Sequence, residues 1–102
     1  MKITNEEFAE QLDKIFKEMK DLLILKNKSY GSASFKGDYK FAISGNCHRL
    51  SDKINRYINL INSLLEGKKL ETFDESIKDT LTDILGYATI GLMIYNNDHK
   101  ES

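Results

Sequence analysis

The sequence predicts an all-α protein built from three long antiparallel helices in a small bundle. Three observations carry that expectation. The chain contains no proline in 102 residues, so no interior position removes a backbone donor or clashes with the preceding turn. Apolar side chains recur every three or four residues in three long segments, and no segment alternates as a half-buried strand does. The length suits one domain, residues 1–102, with a modest core and a frayed polar tail.

The first helix is expected over about residues 5–26. Thr4 followed by Glu7 is a capping box, in which each side chain satisfies the other's backbone N–H, and Ile3 and Phe8 stand at the positions of a hydrophobic staple. Phe8, Leu12, Ile15, Met19 and Leu22 then keep one face, widened by Phe16 and Leu23. A second helix, about 41–66, starts near Phe41 or Ser44 and stops at Gly67. Its inward face is expected to be Ile43, Cys47, Leu50, Ile54, Tyr57, Ile61 and Leu64. A third helix, about 74–97, begins at Asp74 or after a Thr72–Glu75 capping box. The connector over 27–40 is long for a helical domain and holds Gly31, Gly37, Tyr30, Phe35 and Tyr39, with room for a short helical turn. Connectors of that length are commonly functional.

Composition narrows the function classes. Fifteen basic against 16 acidic side chains give a net charge of −1, which argues against a dedicated duplex nucleic-acid binder while allowing a local basic pocket. The longest apolar runs fall short of a membrane span, and no signal-peptide pattern follows Met1, so a cytoplasmic protein without a membrane partner is expected. The single cysteine, Cys47, has no ligand set around it and is read as a buried thiol.

The most informative stretch is "DESIKDTLTDILGYATIGLMIY", Asp74 to Tyr95. At about 100° per residue, Ile77, Leu81, Ile84, Ala88 and Tyr95 share one side, while Glu75, Asp79 and Asp83 form a carboxylate ladder on the other. That acidic line continues through Gly86, Ile90 and Met93, so the second half of the helix is apolar nearly all round. A helix of this kind packs on two sides, and a bundle of three leaves more apolar surface than it can cover; completion by homo-oligomerisation is expected. Like charges at this spacing repel, so a divalent cation, a basic side chain or both should face them. Arg49, Lys53 and Arg56 on the second helix, with Asp52 among them, supply the basic side. Arginine forks hold phosphate oxygens, and carboxylates such as Glu75, Asp79 and Asp83, joined by Asp52, suit Mg²⁺; together they suit a phosphorylated nucleotide. The plainer reading is also open. Asp52 and Arg56 form an ordinary i, i+4 pair, Glu75 closes a cap, and Asp79 is solvated.

Three blocks, "LKNKSYGSASF" from Leu25, "RLSDKINRYINLI" from Arg49 and "ESIKDTLTDILGYATIGLMIY" from Glu75, resemble in order the signatures of the nucleotide modification associated domain type one family. That family is all-α and common in phages and prophages. The chain also looks distantly like the MazG-like all-α nucleotide pyrophosphohydrolases. The resemblance implies a nucleotide ligand in a phage setting, in an infected or lysogenic host, and adds Lys26, Asn27 and Tyr30 to the ligand-binding set. Two departures matter. Ser29 stands where many family members carry an acidic residue, and the second helix offers only Asp52 where the pyrophosphohydrolases place a Glu-x-x-Glu pair. A two-ion hydrolytic site needs several carboxylates converging on ions about 4 Å apart.

The leading expectation is therefore a nucleotide-binding protein, for a linear or cyclic ligand, without efficient turnover. Arg49, Lys53 and Arg56 would hold phosphates, and Tyr30 or Phe35 would stack on a base. In a phage such a protein would sequester a nucleotide signal of host defence. A Mg²⁺-dependent pyrophosphohydrolase using Glu75, Asp79 and Asp83 is the alternative, and a helical interaction protein with solvated charges the third.

Overall fold

The computed structural model describes residues 1–30, 32–68 and 73–100, without the side chains of Tyr30 and Phe73. It is all-helical: α1 (Asn5–Tyr30), a 3₁₀ turn (Ala33–Phe35), α2 (Tyr39–Leu65) and α3 (Phe73–Asp98). No strand occurs among the described residues, and no helix among them is long and apolar enough to cross a membrane. The chain divides into two compact units, Met1–Ala33 and Ser34–Ser102.

In the first unit the capping box forms as the sequence predicts. The Glu7 N–H donates to Thr4 Oγ1 at 3.1 Å, and the Thr4 N–H donates to Glu7 Oε1 at 3.5 Å. At its other end α1 runs to Tyr30, four residues past the expected stop, so Lys26 and Asn27 are helical and the connector is shorter than expected. The reason is local. Lys26 to Ser29 contain no breaker, the Ser29 hydroxyl donates back to Leu25 O at 3.2 Å, and Lys28 lies in the last turn, where a cation meets the negative helix end favourably.

The second unit is an antiparallel hairpin of α2 and α3. α2 starts earlier than expected because Asp38 caps it: Asp38 Oδ1 accepts the Phe41 N–H at 2.9 Å. It ends as expected at Gly67. Gly67 has φ of 78°, the left-handed geometry glycine adopts without penalty. The Gly67 N–H donates to Leu64 O at 3.1 Å and the Lys68 N–H to Ser63 O at 3.2 Å, the pair of bonds that defines a Schellman cap. Asp74 and Glu75 occupy the first turn of α3, where carboxylates favour the positive helix end. The expected Thr72–Glu75 box lies outside the described residues at Thr72.

The seam between α2 and α3 differs from the one expected. Asn46 Nδ2 donates to Tyr87 O at 2.8 Å, Lys53 Nζ lies 3.1 Å from Asp83 Oδ2, and Arg56 Nε donates to Thr80 Oγ1 at 3.3 Å. Numbers rise along α2 as they fall along α3, which fixes the antiparallel register. Ala42 and Ile94, both buried, extend the same two lines. The apolar stripe of α2 is displaced by one residue, about 100° round the helix, from this line. Consequently Cys47 is exposed and not a buried thiol, Ile54 and Leu64 are 41% and 49% exposed, and on α3 Leu81 and Tyr95 are 43% and 49% exposed. The polar seam is nevertheless complete, since no buried side-chain nitrogen or oxygen among the described residues lacks a partner.

Close approach in the seam depends on Gly91. A Cβ there would lie 2.6 Å from Asn46 Oδ1, and Asn46 is buried and tied to Tyr87 O. Gly91→Ala should therefore lower stability by about 1–3 kcal/mol, read as a fall in thermal midpoint. Adding Asn46→Ala should recover part of that loss, because the clashing atom is then gone.

Candidate functional site: a basic groove on the α2–α3 hairpin

The helical spacing of α2 lines up Arg49, Asp52, Lys53, Asn55, Arg56, Asn59, Leu60 and Ser63 along an open groove of about 800 Å³, which Ser76 and Tyr87 of α3 also line. With Lys53 held against Asp83, Arg49 and Arg56 stand against the one lining carboxylate, Asp52, which leaves this groove weakly positive in a chain whose net charge is −1. The remaining donors and acceptors are neutral amides and hydroxyls. Such a surface favours an anion with several oxygen acceptors.

The three cations are held differently. Lys53 pairs with Asp83, both side chains being about one-third exposed at 33% and 30%. Arg56 is anchored at Nε by Thr80, whose own hydroxyl donates to Ser76 O at 2.7 Å. Arg49 lies along the glycine side of the helix: a Cβ on Gly45 would sit 3.4 Å from its Nη1. The small residue leaves the guanidinium room to rest beside the backbone.

The expected residues are thus brought together in part. Arg49, Lys53, Arg56 and Asp52 share the groove. Asp83 pairs with Lys53, which lines the groove, while Glu75 and Asp79 are exposed and do not line it. No three His, Cys, Asp or Glu side chains among the described residues come together as a metal-binding group. The donor set does not fit the convergent carboxylates that a two-ion Mg²⁺ site requires. Lys26 and Asn27 belong to the last turns of α1 in the other unit. Tyr30 ends α1, and its side chain lies outside the described residues.

The contributions of Tyr87, Thr80, Ser76, Asn55, Asn59 and Ser63 were not foreseen. Ser76, Thr80, Asp83 and Tyr87 repeat at four-three-four spacing, as Arg49, Lys53, Arg56 and Leu60 do on α2, but that spacing does not by itself say that the two lines face each other, and it does not reach Asn55, Asn59 or Ser63. Comparison of the chain with family models, with curated proteins and with solved structures finds no match.

The partly exposed Lys53–Asp83 pair should contribute little to folding. A double-mutant cycle with Lys53→Met and Asp83→Asn, read by chemical denaturation, should give a coupling of about 0.2–1 kcal/mol at low salt. In about 0.5 M salt the coupling should shrink, because the charges are open to screening.

Proposed function

We propose that the chain binds a phosphorylated nucleotide, linear or cyclic, in the α2–α3 groove and holds it without efficient turnover. The observation that carries this reading is the convergence of Arg49 and Arg56, with the Asp83-paired Lys53 between them, on one groove that Tyr87 also lines. Guanidinium forks suit phosphate oxygens, and the tyrosine ring offers a face for a base, with Asn55 and Asn59 able to read its edge. The resemblance to the nucleotide modification associated domain type one family supports the same ligand class and a phage or prophage setting. There, retention without turnover would sequester a nucleotide signal in the host cytoplasm.

The donor set favours this reading over Mg²⁺-dependent pyrophosphate hydrolysis. Of the four carboxylates expected to bind metal, only Asp52 lines the groove, and Asp83 is neutralised by Lys53. Self-association belongs to the same proposal. Ile54, Ile58, Leu64, Leu81, Leu92 and Tyr95 are each more than 40% exposed, and a homo-oligomer would cover them. Sedimentation equilibrium should accordingly give a mass above the 11.7 kDa of one chain.

The test is incubation of the purified protein with linear and cyclic nucleotides and Mg²⁺, then filtration, heat release and chromatography of the ligand. Intact ligand should be recovered. Arg49→Ala and Arg56→Ala should each weaken retention by about tenfold, the size of one charge-assisted contact, whereas Asp79→Ala should leave it unchanged. Release of monophosphate and pyrophosphate, abolished by Asp79→Ala, would establish the hydrolytic alternative and overturn this reading.

A further inference from the structure

Thr80 is the most buried side chain of the hairpin at 2% exposed, yet it is polar and sits on the line of α3 that faces the basic groove. Its hydroxyl has one hydrogen to give, and Ser76 O takes it at 2.7 Å. That fixes the direction of the remaining lone pairs, and one of them receives Arg56 Nε–H at 3.3 Å. A guanidinium is planar and carries five N–H donors in a rigid fork. Holding Nε at the seam restrains the orientation of the group and leaves the Nη1/Nη2 edge for a ligand in the groove that Arg56 lines.

We propose that Thr80 is a positioning residue: through Arg56 Nε it presents the Nη1/Nη2 edge of Arg56 to a phosphate in the groove, although it touches no ligand itself. The proposal rests on the groove being the phosphate site. It explains why a buried threonine occupies a position where an aliphatic side chain would pack without polar groups to satisfy. Serine would preserve the relay, and valine or alanine would release Arg56 from the seam while leaving its charge in place. A released arginine samples many rotamers and must be ordered by the ligand, which weakens binding.

The experiment is calorimetric titration with inorganic triphosphate of the full chain and of Thr80→Val, Thr80→Ser, Arg56→Lys and the Thr80→Val/Arg56→Lys double variant, with thermal melting of each. Thr80→Ala replaces the valine variant if that one fails to fold. Thr80→Val should weaken binding about five- to tenfold, consistent with loss of one well-placed hydrogen bond. Thr80→Ser should stay within about twofold of the parent. In the Arg56→Lys background, where no Nε–H remains to be held, Thr80→Val should have no further effect, whereas a general loosening of the hairpin would weaken binding in both backgrounds. Equal weakening in both backgrounds, or wild-type affinity in Thr80→Val, overturns the positioning role alone. Absence of triphosphate binding to the parent chain, or unchanged affinity in Arg56→Lys, overturns the groove reading beneath it.

Discussion

The hairpin of α2 and α3 depends on a polar seam. Asn46, Lys53 and Arg56 reach across from one helix and find Tyr87 O, Asp83 and Thr80 on the other. Each of these bonds is worth little in net stability, because water offers comparable partners in the unfolded chain. Their force is in what happens when one is missing. Sliding the helices by a turn would strand Asn46, which is 4% exposed and bonds across to Tyr87 O, and an unsatisfied buried polar group costs about 1–3 kcal/mol. The seam thus selects one register far more strongly than it stabilises the hairpin.

That register also builds the groove. Placing Thr80 opposite Arg56 and Asp83 opposite Lys53 sets two of the three cations beside the neutral amides and hydroxyls that line the same depression. A polar helix–helix seam and a polar ligand surface are then parts of one line of side chains, some turned toward the partner helix and some toward solvent. An apolar seam at the same positions would pack without these directional constraints and would supply no fixed guanidinium.

Helix content was legible in the sequence wherever the signal was local. The Thr4–Glu7 capping box and the Gly67 stop act within a few residues, and both form as written. Signals as local as these, Asp38 as an N-cap and Ser29 within a breaker-free run, account for the shifted ends of α2 and α1. The facing of the helices was less legible. Hydrophobic periodicity assigns the greasiest stripe to the nearest partner, and here Cys47, Ile54 and Leu64 remain exposed while Asn46, Lys53 and Arg56 meet α3. Among the groove residues, the cations were recognisable from their charge and spacing. Thr80 and Tyr87 were not, because only the interhelical register brings them to the same place.

The same displacement bears on why the chain would associate with copies of itself. Ala42 and Ile94 are the buried apolar side chains of the second unit among the described residues. Fully burying a single large aliphatic side chain is worth about 1.5–3 kcal/mol, and of these two only Ile94 is one, so they do not offset the backbone entropy of ordering a hairpin of this length. The apolar stripe of α2 and the outer face of α3 hold the missing hydrophobic area, still open to water. Covering it, as the proposed self-association does, would supply the stability that the seam lacks, with the seam left to hold register. On that division of labour a substitution on the outer apolar faces weakens assembly and folding together, whereas one at Arg49, which lines the groove, alters ligand binding with little effect on either.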